Sequence, residues 1–196
     1  MEAVLTSIAV VAIAEIGDKT QLLAIVLAAR FRKPVPIIAG IFVATLLNHA
    51  GAAALGYLVS EWLGGAVFQL LVGVAFLVMA GWALIPDKED EAAGDSPARG
   101  VFLTTTIAFF LVEIGDKTQI ATSLLAAQFR NIELVALGTT IGMMIANVPA
   151  VYLGEAITRV VPLAWVRRIA ALLFAVIGAW VLLDVLRANG WRIPGI

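Results

Sequence analysis

Six apolar stretches constrain the fold of this chain more than any other feature of its sequence. They are bounded by charged residues or proline, and they run over residues 3–29, 34–59, 66–85, 101–127, 132–157 and 163–186. A membrane-spanning helix needs about 20 predominantly apolar residues, and each stretch is long enough. Backbone groups in hydrocarbon must be hydrogen-bonded within the spanning structure, and no stretch alternates like a barrel strand. The sequence therefore predicts an all-α membrane protein with six transmembrane helices.

Composition excludes several classes of function. Of the 196 residues, 62% are hydrophobic and 14% are charged, so six spans leave no room for an extramembrane catalytic domain. The net charge of −1 argues against nucleic acid as a partner. The chain has no cysteine, which excludes disulfides, thiolate catalysis and sulfur-ligated metals. Its single histidine, His49, excludes a site built from several histidines.

The second constraint is an internal repeat. The seven residues 15–21 (EIGDKTQ) recur unchanged at 113–119, 98 residues further on. The same offset relates Gly40 to Gly138, and Phe76 to Phe174. The sequence thus predicts a duplicated three-helix unit: a first repeat over 1–85, a polar cytoplasmic linker over 86–100, and a second repeat over 101–196.

Because three is an odd number of spans, the second unit is expected to enter the membrane from the opposite side. This arrangement is the 3+3 inverted-topology repeat of many secondary transporters. Cytoplasmic loops carry an excess of lysine and arginine, and an N-out, C-out orientation places eight basic residues inside and three outside. The inside set is Arg30, Arg32, Lys33, Lys88, Arg99, Arg159, Arg167 and Arg168, and the outside set is Arg130, Arg187 and Arg192.

The repeated motif places acids deep in the membrane. Glu15 lies twelve residues into the first stretch, roughly 18 Å along a helix and close to mid-membrane. An ionised carboxylate at that depth costs at least about 2.5 kcal/mol, so these acids are not expected to face lipid. Inversion of the second repeat brings the two motif faces together. We therefore predict one midplane cluster of four acids, formed by Glu15, Asp18, Glu113 and Asp116.

The charge of this cluster suggests its chemistry. Lys19 and Lys117 supply two positive charges against four negative ones, which leaves −2, matched by one divalent cation or by two protons. Oxygen ligands without sulfur or imidazole suit Mg²⁺, Ca²⁺ or Mn²⁺. Crowded carboxylates in a low-dielectric environment hold protons readily, and metal binding displaces them. A site of this kind, opened alternately to each side, is a cation/proton exchanger.

The other polar residues of the motifs and their neighbours support the cluster in different ways. On a continuous helix Gln21 falls on the same face as Glu15 and Asp18. Glycine inside the motif permits either close helix approach or local unwinding. The expected roles are further ligands or partners of the ligands for Gln21, Gln119, Asn48 and Asn147 (with interhelical hydrogen bonding as the alternative for the asparagines), counter-charges or gates for Lys19 and Lys117, and helix contacts for Gly17, Gly115, Thr20 and Thr118, the threonines pointing away from the acids.

The twin motif resembles the signature E-x-G-D-(K/R)-(T/S) of the manganese/calcium cation–proton antiporter family, which includes bacterial manganese exporters and Golgi-resident eukaryotic members. Both copies match without departure, and the resemblance covers essentially the whole chain. It implies Mn²⁺ or Ca²⁺ as the transported ion, H⁺ as the counter-ion, no prosthetic group, and the four motif acids as the ion site. It also implies export from the cytosol across a bacterial inner membrane. The choice of Mn²⁺, Ca²⁺ or Mg²⁺ stays open, as does the choice of monomer or homodimer.

Three other functions fit the sequence less well. An intramembrane aspartyl protease needs two carboxyls that share a proton, so four acids and two lysines are more than it uses. A non-transporting membrane scaffold predicts that replacing Asp18 and Asp116 by asparagine leaves function intact. An exporter of small solutes such as amino acids suits an acidic midplane badly. We therefore expect a transporter and not an enzyme, with a divalent cation and the lipid bilayer as its partners.

Overall fold

A computed structural model describes residues 1–63, 65–85, 100–154 and 163–188, and every regular element in these ranges is an α-helix. The predicted linker lies outside the described residues except for Gly100, and so do residues 155–162 and 189–196. The eight helices of the described residues are α1 (Glu2–Glu15), α2 (Lys19–Phe31), α3 (Pro34–Leu63), α4 (Ala66–Ala83), α5 (Val101–Glu113), α6 (Lys117–Phe129), α7 (Ile132–Leu153) and α8 (Leu163–Ala188).

Four of these helices, α3, α4, α7 and α8, are long and apolar enough to cross a membrane. They coincide with the second, third, fifth and sixth apolar stretches, and their ends differ from the predicted ones by a few residues. Helix α7 ends at Leu153, where Gly154 takes a positive φ of 59° and its N–H closes the last turn on Ala150, and the predicted continuation over 155–157 lies outside the described residues.

The first and fourth stretches are each broken into two short helices, so the prediction of continuous helices over 3–29 and 101–127 is wrong. The breaks occur at equivalent places, between α1 and α2 and between α5 and α6. Gly17 adopts a φ of +81° and Gly115 a φ of +77°, a region that favours glycine because it has no Cβ. The residue before each glycine is extended, with ψ of 118° at Ile16 and 119° at Ile114.

Equivalent helices of the two halves pack against equivalent partners. Helix α1 packs on α7 and α5 on α3, while α2 contacts α7, α6 contacts α3, and α4 pairs with α8. The close contacts follow the same rule. A Cβ atom added to Gly40 would lie 2.8 Å from the Cβ of Thr105, and one added to Gly138 would lie 2.8 Å from the Cβ of Ser7. Glycine at these equivalent positions allows the helices to approach closely.

The apolar interior and the surface both fit a membrane protein. The rings of Phe76 and Phe174, equivalent residues of the two halves, are stacked with centroids 6.3 Å apart between α4 and α8. Many large apolar side chains are exposed, including Leu55, Leu58 and Trp62, a surface rare in monomeric soluble proteins. The motif acids and threonines are buried instead, with Gln21 and Lys117, while Lys19 and Gln119 are half-buried.

Candidate cation-binding site

The two helix breaks place the motif acids. Glu15 and Glu113 are the last residues of α1 and α5, and Asp18 and Asp116 precede the first residues of α2 and α6 as N-caps. All four are buried, and both glutamates have no solvent exposure. An acid at the start of a helix is favoured because the unpaired N–H groups carry partial positive charge. In each motif the glutamate therefore ends one helix and the aspartate precedes the next, so both acids lie at the same helix break.

Three of the four acids meet. One carboxylate oxygen from each of Glu15, Glu113 and Asp116 lies within 4.8 Å of the other two. In the described part of the chain Asp18 does not join this group. It lines a neighbouring cavity of about 30 Å³ with Gly17 and Lys117. The group draws on both halves of the molecule, as predicted, but it is a cluster of three acids with the fourth beside it.

Each glutamate of the cluster has one oxygen that other side chains approach and one that has no partner. Asn147 donates from Nδ2 to Oε1 of Glu15 at 3.5 Å. Thr118 donates from Oγ1 to Oε2 of Glu113 at 3.3 Å, and Nε2 of His49 lies 3.9 Å from the same oxygen. Glu15 Oε2 and Glu113 Oε1 make no hydrogen bond with any residue that the structure describes. Buried carboxylate oxygens without partners are costly, so a cation is a fitting ligand for this pair.

The two lysines of the motifs differ in their surroundings. Nζ of Lys19, from the first repeat, lies 3.3 Å from Oδ1 of Asp116 in the second repeat. Nζ of Lys117 donates to the carbonyl oxygen of Ile85 at 2.9 Å and lies 5.8 Å from the centre of the Trp82 ring. Lys19 is thus a direct counter-charge to an acid of the cluster.

The prediction that the motif threonines point away from the acids is wrong. Thr118 Oγ1 donates to Glu113 and also lies 3.2 Å from Oδ2 of Asp116, while Thr20 Oγ1 lies 3.5 Å from Oδ2 of Asp18. The prediction assumed that one helical period runs through the motif. Because the helix breaks at the glycine, the face that α2 and α6 present to the acids is not set by α1 and α5.

The motif glutamines and glycines allow and stabilise the helix breaks. Oε1 of Gln21 accepts from the N–H of Gly17 at 2.9 Å, and Oε1 of Gln119 accepts from that of Gly115 at 2.7 Å. At the break these N–H groups have no carbonyl acceptor within the helix, and the glutamine side chains accept their hydrogen bonds instead. A Cβ added to Gly115 would meet nothing within 4 Å, so this glycine is not a close helix contact. Local unwinding, the alternative role that we considered for Gly17 and Gly115, is the one observed.

One of the two asparagines contacts the acids and the other does not, and the single histidine also lies beside the acids. Asn147 faces Glu15, whereas Nδ2 of Asn48 donates to the carbonyl oxygen of Phe110 at 3.1 Å and joins α3 to α5. His49, whose role the sequence left open, is fully buried against Glu113. The 98-residue offset relates His49 to Asn147. That correspondence is the signal that could have assigned His49 to the site.

A buried cluster of carboxylates at breaks in apolar helices is typical of transporters that carry cations through a membrane. The fold and the site therefore define the class of the protein as a helical membrane transporter for cations.

Comparison with known proteins gives the family. The chain belongs to the GDT1 family, whose model, described as "Divalent cation/proton antiporter GDT1", matches residues 3–91 and 101–189. The similarity to the cation–proton antiporters that the motif indicated is thus confirmed. The chain is an integral membrane transporter and not an enzyme, so the protease alternative is wrong.

Its relatives include both bacterial and plant proteins. A Vibrio cholerae protein named "Putative manganese exporter" is 53% identical over 175 residues, which cover 89% of this chain and 87% of the relative. The "GDT1-like protein 3" of Oryza sativa subsp. indica is 27% identical over 199 residues, covering 88% and 71% of the two chains. That of Arabidopsis thaliana is 26% identical over 200 residues, covering 88% and 68%. No solved structure matches the chain.

Proposed function

We propose that this protein exchanges Mn²⁺ for protons across the bacterial inner membrane and exports Mn²⁺ from the cytosol. The site consists of Glu15, Asp18, Glu113 and Asp116. The observation that carries the proposal is the approach of three buried carboxylates, drawn from both halves of the chain, to within 4.8 Å of one another. Ligands of one divalent cation at about 2.0–2.6 Å lie within roughly 5 Å of each other, so the spacing suits a single ion.

The donor set favours a hard divalent cation. The acids offer carboxylate oxygens, two of which lack hydrogen-bond partners, and the chain has no cysteine. Carboxylate and carbonyl oxygens suit Mn²⁺, Ca²⁺ and Mg²⁺. The printed name of the Vibrio cholerae relative supports Mn²⁺ as the preferred substrate, with Ca²⁺ next.

Charge balance couples the ion to protons. Four acids and two lysines leave a charge of −2 when all are ionised, and an uncompensated charge of that size is very costly inside a membrane. One divalent cation or two protons neutralise the site, and each displaces the other. The site therefore changes its access from one side to the other loaded with metal, and returns loaded with protons.

The proposed topology is a 3+3 inverted repeat with both termini outside. The equivalent breaks at Gly17 and Gly115 support it, as does the exchange of helix partners between the halves. In this arrangement α1 with α2, and α5 with α6, each form one broken spanning segment. Broken helices at the substrate site are a recurring feature of inverted-repeat transporters.

Transport by purified protein in liposomes tests the proposal. With an imposed pH gradient we expect Mn²⁺ flux that follows the gradient, and at least about a tenfold loss of flux in Glu15→Gln and in Glu113→Gln, because each removes a charged ligand. Glu133→Gln is the matched control, since Glu133 is exposed at the start of α7. Flux that ignores the pH gradient would refute exchange. Full activity of Asp18→Asn and Asp116→Asn would favour the scaffold alternative.

A further inference from the structure

His49 and Asn147 occupy equivalent positions in the two halves, and both lie beside the acids. The residues are 98 positions apart, on α3 and α7, which are equivalent helices. Each side chain approaches the glutamate of the opposite half. Nδ2 of Asn147 lies 3.5 Å from Oε1 of Glu15, and Nε2 of His49 lies 3.9 Å from Oε2 of Glu113.

The consequence for the two glutamates is the same. The oxygen that faces the opposite half accepts a hydrogen bond in each, from Asn147 in Glu15 and from Thr118 in Glu113, beside which His49 lies. Among the described residues, the other oxygen of each glutamate has no hydrogen-bond partner. A carboxylate held at one oxygen keeps its second oxygen in a defined direction. The direction matters because a cation site needs its ligands placed within about 0.5 Å.

His49 itself has little else to bind. The side chain has no solvent exposure, and neither ring nitrogen makes a hydrogen bond with the residues that the structure describes. The backbone of Thr139 is a second polar group beside the ring. A buried polar side chain without partners costs free energy, so its presence calls for a role. The neutral imidazole with its proton on Nε2 is a donor directed at Glu113, as the amide of Asn147 is a donor directed at Glu15.

We propose that His49 and Asn147 are positioning residues of the cation site. Each directs an N–H donor at one oxygen of the glutamate from the opposite half, with a hydrogen bond from Asn147 and an approach to 3.9 Å from His49. Each leaves the other oxygen of its glutamate free for the ion. This inference rests on the proposed function. It adds that the two halves complete each other's ligand, so neither half builds a competent site alone.

The test compares removal of the donor with its replacement. In His49→Leu and in Asn147→Leu we expect the half-saturating Mn²⁺ concentration for uptake into liposomes to rise about tenfold, with the maximal rate changed by less than about twofold. In His49→Asn, which copies the residue of the other half, we expect a half-saturating concentration within about twofold of wild type. Ser60→Ala is the control, because Ser60 is buried on α3 and its hydroxyl donates to the carbonyl oxygen of Tyr57 in its own helix.

The outcomes separate the inference from the function on which it rests. Wild-type protein without divalent uptake would refute the proposed function. Normal uptake by wild type together with unchanged His49→Leu would overturn only the positioning role. Equal impairment of His49→Asn and His49→Leu would also overturn it, because the imidazole would then act by itself. Should His49→Leu give no monodisperse protein, Asn147→Leu tests the same prediction at the equivalent position.

Discussion

At the scale of single residues, the contact between Lys19 and Asp116 places a positive charge beside one acid of the cluster. The lysine belongs to the first repeat and the aspartate to the second, and their charged atoms are 3.3 Å apart. Asp116 is also one of the three converging acids. At the proposed site, a cation that binds Asp116 would compete with this ammonium group, so we expect the lysine to lower affinity and to favour release.

Replacement of this lysine should therefore tighten cation binding. In Lys19→Gln we expect the half-saturating Mn²⁺ concentration to fall roughly fivefold, about 1 kcal/mol, the upper end of what a partly exposed ion pair contributes. Uptake into liposomes measures it. Lys33→Gln, at an exposed lysine before α3, should leave the value unchanged. A rise in Lys19→Gln would mean that the lysine holds Asp116 in place instead of competing for it.

The burial of the motif acids could be predicted from the sequence, but not all of their contacts. Depth in the membrane and the cost of a buried charge predicted that Glu15 and Glu113 lie inside, and both are fully buried. The displacement of Asp18 from the cluster, and the contact of Thr118 with Glu113, depend on the angle between helices on either side of a break. No periodicity argument determines that angle.

At the scale of helices, the glycine of each motif decides where the acids lie. Hydropathy predicted the four long apolar helices well, because length and apolarity suffice for them. It did not predict the breaks at Gly17 and Gly115. Glycine in a membrane helix allows close packing or unwinding, and the choice depends on whether a partner such as Gln21 can satisfy the freed N–H.

Two glycines test the role of backbone conformation at the break. A Cβ added to Gly115 or to Gly51 meets no atom within 4 Å, but Gly115 has a φ of +77° and Gly51 lies inside α3. Gly115→Ala should lower stability by about 1–3 kcal/mol because alanine is strained at positive φ. Gly51→Ala should be neutral or raise stability by up to about 1 kcal/mol.

Thermal unfolding in detergent, followed by size-exclusion or fluorescence, measures both effects, and liposome uptake reports the site. We expect Mn²⁺ flux to fall in Gly115→Ala alone, because the strain acts between Glu113 and Asp116. Matching melting temperatures for the two variants would show that the helix break does not need glycine.

At the scale of the whole molecule, the described helices of the two halves pack equivalently but differ around the motif glutamines. In the first half Nε2 of Gln21 donates to the carbonyl oxygen of Ala146 on α7 at 3.0 Å. At the equivalent place in the other half, Gln119 and Asn48 line a cavity of about 360 Å³ between α3, α5 and α6. Inverted-repeat transporters work by exchanging the conformations of their halves. An exchange of this kind would give Gln119 the interhelical hydrogen bond and would place the cavity beside Gln21.

The proposed inverted topology makes the sharpest prediction, because it requires equivalent residues to lie on opposite sides of the membrane. Val35 and Glu133 are 98 positions apart, and both are exposed in the first turns of α3 and α7. The chain has no cysteine, so a single introduced thiol is the only reactive one. In intact cells we expect a membrane-impermeant maleimide to label Glu133→Cys, and to label Val35→Cys only after permeabilisation. Reaction of both from one side would refute the inverted repeat. The reverse pattern would keep the repeat and turn the molecule over, which would contradict the orientation that the excess of basic residues in the predicted cytoplasmic loops favours.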